Sequence, residues 1–461
     1  MLTSKVHIRY IIRSVTLLIS LLPFLTLFLP YFSGIPFRDD YAMFPVLLNQ
    51  GDYSFFIQPH NQHQIIMHKL SVWTTYTLFS SEYIGMLLRF NILFFSAVLL
   101  FISKKIWSTQ FIYQAIFASL VFSPSLYENA SWALCSSQHL VIFAFVWLSL
   151  HLLTSSNSWV ELSAGYILGI FGYLSSGNGL LIWLILAVIM LYRQLYGLLF
   201  IWTVSLIFIL VYFPNTTQVN PLTSFRLPHL KSLVWLISGG YGFIQNTFVL
   251  KCIFGLFSIL QMLFMRTIWK NRQNLPQIYL LLLGIQLFCL GTFVGLSMYR
   301  DISYQTIPDR YRIYILFYWS TFWIQYYPKL IAVRATLLIL IFLANVVELE
   351  RCRWNAAVMY WEKKLSYLNA LHHCIIPDTH YGPHFSSLYF KLTSLTPIPG
   401  VLPRNSSYLS LPIDHFLFQE TWSITPYKNK ITNHLFYKVT SPNLPANLTT
   451  TLDESWLRLD P

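Results

Sequence analysis

Apolar runs long enough to cross a bilayer follow one another through most of the chain, and that succession limits the fold more than any motif does. In lipid, backbone N–H and C=O groups have no water to bond, so such a chain must fold as membrane-spanning helices. Composition agrees. Of the 461 residues, 55% are hydrophobic and 10% are charged, against about 25% charged in soluble domains. Mean hydropathy is +0.54. The formal net charge of +13 is assigned to cytoplasmic loops and helix ends at anionic headgroups, not to a nucleic-acid partner.

The first run, 11–32, follows the basic residues Lys5, Arg9 and Arg13 and reads as a retained anchor that starts in the cytoplasm. Further runs lie near 83–102, 110–126, 134–153, 160–176, 179–196, 198–213, 241–265, 278–298, 311–326 and 329–347, a total of about eleven spans. Alternating from the anchor puts Lys104, Lys105, Arg193, Arg266, Lys270, Arg272 and Lys329 inside. Asp39, Asp40, Asp52, Glu128, Asp301 and Asp309 fall outside, along with Arg300, Arg310 and Arg312. Nearly every acid before position 340 is then on one side, Glu82 and Glu161 at span starts being the exceptions.

The fold class expected is an all-α membrane protein, with juxtamembrane helices in the first outside loop and a small C-terminal extramembrane domain. A transmembrane domain would cover 1–347. Residues 348–461, rich in Pro, Ser, Thr and Asn, would form the second domain outside, beginning with an amphipathic helix over 351–371. Cys135, Cys252 and Cys289 read as small buried hydrophobes, while Cys352 and Cys374 could pair if the tail is outside the cytoplasm. His372, His373, Cys374, Asp378, His380 and His384 have the content of a metal site but not its spacing.

Four outside stretches carry groups able to do chemistry. Asp39 and Asp40 follow the first span at the membrane surface. A carboxylate there can deprotonate an acceptor hydroxyl or hold a divalent cation against a phosphate, or simply cap a surface helix. His60 and His63, three apart, can bind metal or donate to a phosphate, or sit in headgroup water. Glu128-Asn129, with Trp132 and Gln138, places a lone acid in an apolar region, which is costly unless it is paired or wet. Pro308-Asp309-Arg310-Tyr311-Arg312 offers planar guanidinium forks suited to phosphate, against the alternative of an Asp309–Arg312 surface pair. Inside the apolar region, Ser175-Ser176-Gly177-Asn178-Gly179 reads as a turn.

The order of Asp39-Asp40, His60-Asn61-Gln62-His63, Leu88-Arg89-Phe90, Glu128-Asn129, Ser175-Ser176-Gly177-Asn178-Gly179 and Arg310-Tyr311 resembles uncharacterised bacterial members of the GT-C glycosyltransferase superfamily, over about residues 10–345. More distantly it is similar to protein O-mannosyltransferases and aminoarabinose transferases. The resemblance implies a multi-pass protein of the bacterial inner membrane, with its C-terminus periplasmic. The donor would be a polyprenyl-phosphate-linked sugar and the acceptor a lipid-linked or cell-surface glycan. Asp39 or Asp40 would be the catalytic base. His60, His63, Glu128, Gln138, Asn178, Arg310 and Arg312 would line the substrate, with Arg310 neutralising the departing phosphate. The cofactor stays open between a divalent cation (Mg2+ or Mn2+) and none, because Gln62 stands where the pattern has an acid. A glycan polymerase or ligase, and a lipid-glycan flippase, are the competing classes. The flippase would call for ionisable residues deep within spans and for paired half-sequences.

Overall fold

The computed structural model describes residues 2–34, 40, 43, 54–57, 65–79, 83–106, 111–212, 227–299, 302, 307–326, 331–371, 423–428 and 435–440. These are helical except for short connections and one antiparallel hairpin, β1 (Ser423–Lys428) against β2 (Leu435–Thr440), with Ser423 opposite Thr440. Asp39, His60, His63 and most of the C-terminal tail lie outside the described residues.

Five helical stretches are long and apolar enough to cross a membrane: Ser14–Tyr31, Tyr83–Phe101, Ala133–Ser155, Thr247–Lys270 and Gln277–Met298. Gly179–Tyr192 and Tyr196–Phe208 are shorter apolar helices. Their outward faces carry large apolar side chains, such as Leu18, Leu29, Val204, Phe208, Leu256 and Met262. That pattern suits a multi-pass membrane protein, whose lipid-facing surface is apolar.

In chain order the helices are α1 (Leu2–Tyr31), α2 (Ser54–Ile57), α3 (Ile66–Phe79), α4 (Tyr83–Ile106) and α5 (Phe111–Val121). A 3-10 turn, Pro124–Leu126, leads to α6 (Tyr127–Ser131) and α7 (Ala133–Cys135). After α7 comes a π-helical turn, Ser136–Val141, and then α8 (Ile142–Ser155). The remainder are α9 (Trp159–Tyr173), α10 (Gly179–Tyr192), α11 (Tyr196–Tyr212), α12 (Leu230–Ser238), α13 (Thr247–Lys270), α14 (Gln277–Tyr299), α15 (Asp309–Gln325) and α16 (Ile331–Leu371).

The centre of the bundle is α8 packed on α15. Nearly every residue of α15 is buried, the charged Asp309 and Arg312 of its first turn included, so its polar groups must find partners inside the bundle. Phe317 is its hub. Its ring stacks on Phe143 at 4.3 Å and lies 5.3 Å from Trp147, with Phe117 and Phe95 edge-on. Cys135 and Cys289 are buried, as the sequence suggests, but Cys252 faces outward from α13.

The last helix differs from the expectation of a break near 347. α16 runs through that position for 41 residues, because Asn345, Glu348, Arg351 and Cys352 all turn into the bundle. Cys352 is a buried free thiol whose Sγ lies 3.5 Å from a Glu348 carboxylate oxygen.

Because Phe317 ties four rings together, Phe317→Ala should cost about 3–5 kcal/mol of stability. Thermal unfolding in detergent checks this, and an unchanged melting temperature would refute the central role given to this ring.

Candidate functional site

The site is organised around a one-residue interruption. Ser123 caps the 3-10 turn and Pro124 opens it, so the chain enters α6 tightly. α6 then ends at Trp132, which is extended (φ −112°, ψ 119°), and α7 restarts at once. An interruption of this kind exposes carbonyls at the end of one helix and N–H groups at the start of the next.

Asp40 and Lys363 satisfy the two ends. A carboxylate oxygen of Asp40 accepts from Leu134 N at 2.9 Å, at the positive start of α7. Lys363 Nζ, from α16, donates to Ser131 O at the negative end of α6. Both side chains are almost wholly buried. Burial pulls the Lys363 ammonium down to about 8, and Asp40 opposes that shift electrostatically.

Glu128, on α6, holds the start of α15. Its carboxylate accepts from Arg310 Nη1 at 2.7 Å and from Arg310 N at 2.9 Å. Asn129 Nδ2 donates to Arg310 O at 3.1 Å. The guanidinium lies 5.8 Å from the Trp132 ring and 5.2 Å from that of Tyr311. Burial acts to lower its ionisation range, but Glu128 outweighs it and holds Arg310 charged. Arg310 remains 23% exposed. Its Nε and Nη2 make no hydrogen bond among the described residues.

From Arg310 a polar line runs inward. Tyr311 meets His139 edge-on, and His139 Nδ1 is 3.0 Å from Tyr314 Oη. Asn178 Nδ2, at the start of α10, donates to the same hydroxyl at 3.1 Å. Gln138 lies in the π-helical turn, half-buried. Such turns often mark functional positions. In the same turn, Ser137 Oγ accepts from Asn91 Nδ2 at 3.0 Å and lies 2.9 Å from His68 Nδ1. Met67 N donates to Leu174 O, which anchors α3 to the Ser175–Gly179 turn.

Arg312 is not placed to meet a phosphate. Its Nε bonds Asp309 at 2.6 Å, Nη1 bonds Gly239 O at 2.5 Å and Nη2 bonds Ile307 O at 3.4 Å. The pair is buried, not a surface pair. Arg351 completes it, donating to Asp309 (2.7 Å) and to Glu348 (2.5 Å). Glu348 also accepts from Ser125 Oγ and Phe243 N, and Asp309 accepts from Tyr127 Oη. Two arginines and two carboxylates thus cancel while joining α6, the segment after α12, α15 and α16. Gly242 makes room for this, since a Cβ there would strike the Arg351 guanidinium.

The structure therefore brings together Asp40, Glu128 and Arg310 at one end of the bundle, with Asn178 joined through the Tyr311–His139–Tyr314 line. The sequence does not single out Lys363, Glu348 and Arg351, because it assigns 348–461 to a separate extramembrane region. His139 could have been found, as a lone ionisable residue within an apolar run. Among the described residues, no three His, Cys, Asp or Glu side chains gather to hold a metal ion.

Burial would raise the Asp309 carboxyl, but Arg312 and Arg351 hold it below its ordinary 3.8. Its stabilising contribution is therefore complete above about pH 4 and is lost as pH falls through the depressed folded value. Asp309→Asn should cost about 3–5 kcal/mol near neutrality. The gap between wild type and variant in thermal melting should narrow below pH 4, and a gap independent of pH would contradict the assignment.

No family model matches the chain, and neither the curated proteins nor the solved structures contain a significant match to it.

Proposed function

We propose that this chain is a GT-C-type membrane glycosyltransferase, with about eleven spans in a bacterial inner membrane, its N-terminus cytoplasmic and its C-terminus periplasmic. It moves a sugar from a polyprenyl-phosphate donor to a lipid-linked or cell-surface glycan on the periplasmic face. One observation supports this reading above others. Asp40 and Arg310, from stretches 270 positions apart in the chain, are held on the same interrupted helix, one by Leu134 N and the other by Glu128.

The chemistry follows from that pairing of signs. An acceptor hydroxyl attacks the anomeric carbon and gives its proton to a carboxylate of the Asp39-Asp40 pair. The bond from that carbon to the phosphate oxygen breaks, and its electron pair leaves with the lipid phosphate. Arg310 neutralises the new charge through Nε and Nη2, a contact that strengthens as the bond breaks. Trp132 and Tyr311 flank the guanidinium and offer faces for a sugar ring.

Arg310→Lys keeps the charge and loses the planar fork. It should lower transfer on the order of a hundredfold. Asp39→Asn and Asp40→Asn, made separately, should abolish the product glycan in whichever variant removes the base. Mass spectrometry of surface glycans, at matched protein levels, reads the outcome. Wild-type glycans in all three variants would end the transferase reading.

A further inference from the structure

We propose that Lys363 is a positioning residue of this site, delivered by the last helix to pair with Asp40 across the Trp132 interruption. The inference rests on the reading that the Asp39-Asp40 pair is the working carboxylate.

The geometry carries it. Ser131 O and Leu134 N lie three residues apart, on opposite sides of the only extended residue in that stretch. Lys363 holds the first and Asp40 the second. The ammonium and the carboxylate are thus brought to the same four residues, 131–134, from chain segments more than 300 positions apart. Both are almost fully buried, 1% exposed each. A buried charge of either sign is expensive unless an opposite one accompanies it.

Among the described residues, Lys363 is a cation on which the Asp40 charge acts. Tyr83, from α4, feels the Asp40 charge, and Cys135, from α7, feels that of Lys363. Arg310 is engaged by Glu128 on the other side of the interruption. Arg351, about three turns back along α16, is engaged by Asp309 and Glu348. That ionic cluster fixes the rotation and height of α16, so Lys363 reaches the interruption at a set place. The C-terminal half of α16 is on this account part of the site and not the beginning of a separate domain. Its length does the work, since Lys363 lies beyond the stretch needed to cross a membrane.

Two measurements on the full chain in lipid nanodiscs test the pairing, and neither uses a sugar donor. The first is pH-difference infrared spectroscopy, with the protonated Asp40 band identified as the one absent from Asp40→Asn. In Lys363→Met that band should appear at least about one pH unit higher than in wild type. In Lys363→Arg it should stay near the wild-type position. An unshifted band in Lys363→Met overturns the proposal.

The second measurement is a thermal cycle. Lys363→Met strands a buried carboxylate, so Asp40→Asn/Lys363→Met should melt higher than Lys363→Met alone. Rescue of a Lys363→Met variant that does not fold would count the same way. Strict additivity, or a double variant that fails to fold where Asp40→Asn folds, assigns Lys363 to Ser131 O alone and overturns the pairing. Glycan analysis of the Asp variants decides the transferase reading separately, so either idea can fail without the other.

Discussion

Everything at this end of the molecule depends on satisfying two helix ends that meet at Trp132. Inside a packed bundle, exposed carbonyls and N–H groups have no water to bond, and each unmet group costs as much as a lost hydrogen bond. The protein meets the cost with charges of matching sign. A carboxylate lies at the start of α7 and an ammonium at the end of α6, each complementing the local dipole. Because the two charges come from the beginning and the end of the bundle, closing this interruption also closes the fold. Glu128, one turn before it, then positions the start of α15 and its guanidinium.

The buried cluster of Asp309, Arg312, Glu348 and Arg351 is the second fixed point. Ion pairs in such surroundings add little net stability over an apolar core, but breaking one leaves an uncompensated charge. Such a cluster therefore selects one arrangement of helices against near alternatives. Here it sets α16 against α15 and against the 3-10 turn, through Ser125, Tyr127 and Phe243. The backbone accommodates it at Gly242, where any side chain would meet Arg351.

Between these two points, Arg310 retains partial exposure and two uncommitted donors among the described residues. It is stiffened by Glu128 and flanked by two aromatic rings. A preorganised guanidinium of this kind needs no rearrangement to meet developing negative charge. The line through His139 and Tyr314 to Asn178 extends the same polar seam into the bundle. Arg312, two residues on, shows the contrast. It carries the same chemistry, but its donors are consumed by Asp309 and two carbonyls.

Part of this was legible in the chain alone. Apolar runs have the period and length of helices whatever they pack against, so the helical membrane character follows from residues 11–347 without tertiary information. The scarcity of charged residues likewise singles out the Asp39-Asp40 pair, Glu128 and Arg310, since a charge in apolar surroundings needs a reason. What the chain could not reveal was partnership. Lys363 and Arg351 sit in a stretch that reads as an amphipathic helix of a separate extramembrane region, and only the continuation of α16 past 347 brings them inside. Arg310 and Arg312 are both arginines at the start of one helix, yet one faces the site and the other the core, because residues two apart on a helix project toward roughly opposite sides. Local composition determined which segments are helices long and apolar enough to cross a membrane. Long-range electrostatic pairing, which depends on three-dimensional proximity and not on chain order, decided which charges meet.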